Sequence, residues 1–257
     1  MSSTYKKEKL SLHQKMVGDA VRIGRKIPYI HTLVELDATN ARAFLRQYRR
    51  GSGINIAFST YIMKCCAKTI QQETSIQRMK SLGSTVVEFS EVDMFYPTET
   101  SDKKAVLHST ILRDVGQLGL KELHETLQDS NLDVAMKHRF FMKLPWFIRK
   151  SCYTFWFAFP TIRKKYFGTV YFSSILNFSG DRRAWGIPIP MHPFGIFIGT
   201  MCKRLIENST GTKQRDMVQI TLSVDHRVSN GGDMGRFVHR LKHILEFEDL
   251  TKTDLGE

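Results

Sequence analysis

Between Val218 and Leu245 the hydrophobic period of the chain changes once, from two residues to that of a helix, and the change fixes a strand, a short turn and a helix in succession. Val218, Ile220, Leu222 and Val224 alternate with Gln219, Thr221 and Ser223, the pattern of a half-buried strand. From Asn230 onward Met234, Phe237, Val238, Leu241 and Leu245 fall on one helical face. Asn230 suits the N-cap of that helix, and Asp233 is placed to bond back toward it and to sit at the positive helix end. The connector between the two elements carries His226, and a general base is well held on such a connector.

The remainder of the chain reads as a mixed α/β domain. Tyr29 to Asp37 alternates as a strand, Ala38 to Arg50 reads as a helix, and Phe58 to Gln72 is helical, with Tyr61, Ile62, Cys65, Cys66 and Thr69 at helix spacing. Gly51-Ser52-Gly53 is a turn and not a phosphate loop, since the lysine and hydroxyl that should follow are missing. Thr85 to Phe89, Val92 to Tyr96 and Ala105 to Ile111 read as strands of a meander, broken near Pro97 and at Ser101 to Lys104. Gly119 to Leu127 reads as a helix, while Thr169 to Leu176 and Gly195 to Met201 are apolar enough to be buried strands.

Two segments carry a resemblance. Asp225-His226-Arg227-Val228-Ser229-Asn230-Gly231 resembles the His-Arg-x-x-Asp-Gly signature of the dihydrolipoyl acyltransferase catalytic domain, the core of the 2-oxo acid dehydrogenase complexes. Gly168-Thr169-Val170-Tyr171-Phe172-Ser173-Ser174 is similar to that family's Gly-Thr-Phe-Thr-Ile-Ser segment. On its own Ser173 would read as an ordinary strand serine. The N-terminal third follows the family too, with a first helix, then Ile27-Pro28-Tyr29-Ile30-His31 leading into a strand. The resemblance covers nearly the whole chain. It implies a chloramphenicol acetyltransferase-like fold of the α/β (α+β two-layer) class: a mixed sheet packed with helices, as a single acyltransferase-like domain over residues 1–257, assembled as a homotrimer.

The chemistry that the resemblance implies fits those residue types. Acyl transfer from a thioester needs a base, and an imidazole titrating near ~6.5 suits that work. Negative charge then builds on the carbonyl oxygen, where a hydroxyl donor stabilises it. By resemblance His226 is the base and Ser173 the oxyanion donor, contributed by different subunits. The substrate is a coenzyme A thioester or an acyl-lipoyl thioester, transfer is direct between two thiols, and no bound metal is implied. The chain departs from the usual signature at Asn230, where most of the family has aspartate. Asn keeps the cap and gives up the charge, so its role is supporting.

A chain of 257 residues with 42% hydrophobic content can bury a substantial core. No apolar run approaches the ~20 residues needed to span a bilayer, and Ser2 to Lys9 is polar with no signal-peptide core after it. Cys65, Cys66, Cys152 and Cys202 lack metal-ligand or paired spacing, which suits a reducing compartment. The expectation is a cytoplasmic protein. A net charge of +13 is either a solvated basic surface or an attraction for coenzyme A phosphates or an acidic carrier. No nucleic-acid module is visible, so nucleic acid is not an expected partner. No lipoyl or subunit-binding domain is expected before the first helix, so a lipoyl group would come from another chain.

The stretch KHRFFMKLPWFIRKSCYTFWFAFPTIRKKYF, residues 137–167, crowds aromatics and cations together, and no acidic residue occurs from Val134 through Gly180. Three readings stand: packing into the core or trimer interface, with Arg163, Lys164 and Lys165 at a coenzyme A entrance; docking on an anionic membrane surface; or lining a pocket for a large, greasy acyl chain. The family's helical region at this place favours packing. His239 and His243 have the spacing of a two-histidine metal site but no third ligand is evident, and His31 reads as a hydrogen-bonded structural histidine. Ser223 and Asp225 flank His226, yet neighbours along a strand point to different faces and make a poor triad. Three functions fit: a stand-alone acyltransferase, a catalytically inactive trimeric scaffold or regulatory pseudoenzyme, and a chloramphenicol acetyltransferase-like enzyme acting on a small hydroxylated molecule.

Overall fold

The computed structural model describes residues 7–99, 107–128, 139–176, 183–208 and 211–251. The break expected at Ser101 to Lys104, and Lys137 and His138 of the aromatic stretch, lie outside the described residues. Helices are α1 (Leu12–Gly24), α2 (Thr39–Ser52), α3 (Phe58–Gln72), α4 (Leu120–Gln128), α5 (Arg139–Lys143), α6 (Trp146–Ala158), α7 (Pro160–Phe167) and α8 (Gly231–Phe247). Strands are β1 (Tyr29–Asp37), β2 (Met79–Lys80), β3 (Val86–Val87), β4 (Met94–Glu99), β5 (Leu107–Leu112), β6 (Val170–Ser174), β7 (Phe194–Asn208) and β8 (Gly211–Asp225).

Six strands form one mixed sheet in the order β1-β8-β7-β6-β4-β5. β6 runs parallel to both β4 and β7, and the other neighbours are antiparallel. Alternation along β6 sorts its side chains. Val170 and Phe172 are fully buried in the main core, on the side covered by α3 and α8, whereas Tyr171 and Ser173 turn to the opposite face. That second face carries α1, α5 and α6 and the segment 183–193. The Tyr29 hydroxyl lies 2.8 Å from the Pro190 carbonyl and 2.7 Å from that of His192, so one proton serves two acceptors and holds this segment over the sheet.

Three expectations are corrected. Thr85 to Phe89 does not join a meander: only Val86–Val87 is a strand, and it pairs with Met79–Lys80 in a separate two-stranded ribbon. Pro97 does not break β4 but sits within it opposite Ser109. β6 reaches β4 only at Met94 and Phe95, so proline costs no ladder bond on that side. β7 and β8 extend beyond the apolar runs into a long hairpin whose outer half is mostly polar, and its apolar pair Leu205 and Ile206 is adjacent in sequence and exposed, so no period of two appears.

Candidate active site

The connector after β8 is locked by its own residues. Asp225, 1% exposed, receives both the Nε–H and an Nη–H of Arg227 at 2.9 and 2.6 Å, and the Arg227 backbone N–H at 3.1 Å. Ser229 is buried and donates to the Ser75 carbonyl. The His226 backbone N–H donates to Pro28 O at 2.9 Å. Asn230 caps α8 as expected: its side-chain oxygen accepts from Gly232 and Asp233 N–H groups, and Asp233 accepts the Asn230 N–H at 2.9 Å. Asp233 is itself held by Ser75 and Arg236.

On this frame the His226 ring is exposed, with Nδ1 3.1 Å from the Ser229 carbonyl. A carbonyl only accepts, so this contact assigns the proton to Nδ1 and leaves Nε2 with the basic lone pair. The flanking residues form no triad. Ser223 pairs with His31 Nδ1 at 2.8 Å, which makes His31 the structural histidine expected, and Asp225 is committed to Arg227.

Ser173 lies elsewhere on the sheet. It pairs with Phe197 across β6 and β7, and Phe197 pairs with Thr221 of β8. His226 is therefore five residues farther along β8, about 16 Å, and two strand spacings across, about 10 Å, or roughly 19 Å in all. One chain does not bring the two groups together.

Beside Ser173 the second sheet face encloses a cavity of about 610 Å³. Its walls come from α1 (Met16, Ala20), α6 (Tyr153, Trp156), the sheet (Phe95, Phe197) and the segment around Pro188. Tyr171 and Ser173 line it and share a side-chain hydrogen bond, and burial raises the Tyr171 pKa. His192, 2% exposed, donates from Nε2 to the Phe167 carbonyl at 2.8 Å. Burial pushes its pKa down to about 3, so it is neutral, and its Nδ1 has no protein partner. Among the described residues no carboxylate, ammonium or guanidinium lines the cavity.

The 137–167 stretch divides between inside and outside. Phe141, Tyr153, Trp156 and Phe167 form a ring cluster with centroids 4.9–6.0 Å apart on the cavity side, while Phe140 and Phe147 are 84% and 68% exposed. Arg163, read from sequence as a surface cation, is corrected. It is 3% exposed, donates to Met191 O, lies 4.2 Å over the Phe157 ring, and burial lowers its pKa to about 10. Lys164 pairs with Glu91 and with Asp93 at 3.2 Å, leaving Lys165 exposed. His239 and His243 stand on α8, and among the described residues no three His, Cys, Asp or Glu side chains cluster as a metal site. No described helix is long and apolar enough to cross a membrane.

Sequence reasoning missed Tyr171, His192 and the pair Asp19–Arg149. The signals were there: His192 is framed by Pro190 and Pro193, and Asp19 is the one acid on α1, facing an acid-free stretch.

Residues 190–252 match the family model of the 2-oxoacid dehydrogenases acyltransferase (catalytic domain). The chain is 23% identical over 239 residues to the lipoamide acyltransferase component of the branched-chain alpha-keto acid dehydrogenase complex of Bacillus subtilis, covering 87% of this chain and 48% of that protein. It thus spans about half the length of that curated relative. Among solved structures, a probable dihydrolipoamide acetyltransferase from Listeria monocytogenes superposes with a TM-score of 0.72 at 17% identity, covering 96% of this chain and 97% of that one. Chloramphenicol acetyltransferase superposes with a TM-score of 0.51 at 11% identity, covering 96% and 100%. The C-terminal segment of the chain is thus similar to the 2-oxoacid dehydrogenase acyltransferase catalytic domain, and its fold is that of the dihydrolipoamide acetyltransferase and chloramphenicol acetyltransferase structures.

Proposed function

We propose that the chain is an acyltransferase that moves an acyl group between a coenzyme A or lipoyl thioester and an acceptor thiol, with His226 as general base and Ser173 as oxyanion donor. The observation that carries this reading is the locked connector: the Ser229 carbonyl holds the Nδ1 proton and frees Nε2 as base. Nε2 takes the proton of the incoming thiol as its sulfur bonds to the acyl carbon. The Ser173 hydroxyl donates to the carbonyl oxygen while it is negatively charged, and the leaving thiolate takes the proton back as its C–S bond breaks. The matched relatives support the reaction class. The Azotobacter vinelandii dihydrolipoamide acetyltransferase has been analysed for the role of a serine, a histidine and an asparagine in its mechanism, the last two four positions apart, the spacing of His226 and Asn230.

The separation of about 19 Å within one chain is the reason for a shared site. His226 of one copy serves Ser173 of the next, as a homotrimer closes three equivalent interfaces. The test is thiol release from acyl-coenzyme A by purified protein. His226→Ala lowers the rate about 10²- to 10⁴-fold, and Ser173→Ala about 10²-fold, mostly in kcat. Unchanged turnover in His226→Ala removes this mechanism, and a wild-type protein that releases no thiol from any acyl-coenzyme A leaves the scaffold.

A further inference from the structure

We infer that the cavity beside Ser173 takes the hydrocarbon tail of a medium- or long-chain acyl group, so that the acyl substrate is fatty and not acetyl; this rests on the acyltransferase reading of Ser173. The volume of about 610 Å³ falls in the range of sites that enclose whole organic ligands, roughly 300–1,000 Å³. An acetyl group would leave most of it empty, and an unfilled apolar wall forfeits its contacts.

The chemistry of the wall selects among ligands. Met16, Ala20, Trp156, Ile189 and Phe197 present carbon, and among the described residues of one chain no charged side chain faces the space. The imidazole that this chain itself places in the lining, His192, is held neutral by burial. A phosphate, an amine or a carboxylate would therefore enter without a counter-charge, at a large desolvation cost, whereas a methylene chain loses nothing. The polar groups on the sheet side are Tyr171, Ser173 and Ser174 of β6 together with His192, which suits a thioester head at Ser173 and a tail running toward the helices. The rim is apolar as well, with Val17, Ile187 and Ile189 42%, 58% and 43% exposed, so a tail can enter from solvent along carbon.

The cavity is built and not a gap between loosely placed helices. Asp19 of α1 and Arg149 of α6, both buried, form a two-point pair at 2.7 and 3.1 Å that fixes one wall against the other. Arg149 also donates to the Leu144 and Met142 carbonyls, so α5, α6 and α1 move as one.

The test is calorimetric binding of acetyl-, butyryl-, hexanoyl-, octanoyl-, decanoyl- and dodecanoyl-coenzyme A to the full chain, with no turnover required. Each added methylene raises affinity about fourfold while it is buried, up to a chain length at which the cavity is full. Ala20→Phe, which fills the space, brings that plateau to shorter chains, and Trp156→Ala, which enlarges it, moves the plateau to longer ones. The two shifts have opposite sign, which a general loss of folding cannot produce. Equal affinity for acetyl and dodecanoyl thioesters overturns the inference, as does a chain-length profile that both variants leave unmoved, since the tail then binds elsewhere. Chain-length-dependent binding without transfer rejects the acyltransferase reading alone. Transfer from acetyl-coenzyme A without any chain-length dependence rejects the fatty-acyl inference alone.

Discussion

Arg149 and Asp19 face each other through two hydrogen bonds of 2.7 and 3.1 Å with both side chains buried, and they join α6 to α1 across the cavity. Removing one partner strands a buried charge. Arg149→Ala lowers stability by about 3–5 kcal/mol, measured by urea unfolding. The double replacement Asp19→Leu with Arg149→Met recovers most of that loss, because an apolar pair of similar volume carries no desolvation cost. A double variant as unstable as the single one would mean that the pair's geometry, and not its burial, dominates.

Burial lowers the His192 pKa to about 3, below the value near ~6.5 of an unfolded histidine. Between these limits the unfolded chain binds the extra proton, so the contribution of His192 is complete above pH ~6.5 and is lost as pH falls toward ~3. In His192→Phe the stability difference between pH 7 and pH 5 shrinks by about 2 kcal/mol, read from urea titrations at the two pH values. An equal difference in both proteins would place the acid sensitivity elsewhere.

Asn230 acts through the start of α8, where its side-chain oxygen accepts from Gly232 and Asp233. Asn230→Ala lowers stability by about 1 kcal/mol, and Asn230→Asp, which keeps the acceptor, stays close to wild type in thermal unfolding. A large activity loss in Asn230→Ala at unchanged stability would give Asn230 a direct part in the chemistry.

Gly168 caps the C-terminus of α7, two residues before β6, with φ +79°, and a Cβ there would stand 2.7 Å from the Asp93 carbonyl. Gly168→Ala therefore costs at least about 2 kcal/mol of stability. Because Asp93 O also accepts from Thr169 and Val170, the same change shifts the strand that carries Ser173. Wild-type stability in this variant would show that the backbone relaxes freely.

The strand, connector and helix around His226 were legible because period, cap and turn agreed on one answer there, whereas α3, whose N-cap residue Ala57 supplies no side-chain cap, was legible from its apolar spacing alone. The outer half of the β7–β8 hairpin was not. Its strands are held by each other, and its apolar residues Leu205 and Ile206 are adjacent and exposed, so no hydrophobic alternation marks them. Pro97 misled because its tolerance depends on where β6 stops pairing. The candidate base stood on a local motif and the candidate donor Ser173 on a family resemblance, but the distance between them follows from strand order alone. The fate of Arg163 was hidden for a related reason: a cation on a cationic helix is buried here by the ring of Phe157 and a carbonyl from a distant segment.

The central claim, an active site shared by His226 of one copy and Ser173 of another, is tested most directly by mixing two inactive proteins. His226→Ala and Ser173→Ala are unfolded together at equal amounts, refolded, and assayed for thiol release from acyl-coenzyme A. If neighbouring copies share the site, random assembly pairs an intact serine with an intact histidine at about a quarter of the interfaces, and activity returns toward that fraction of wild type. If each chain holds a complete site, every chain in the mixture lacks one group and no activity returns, which would contradict the account.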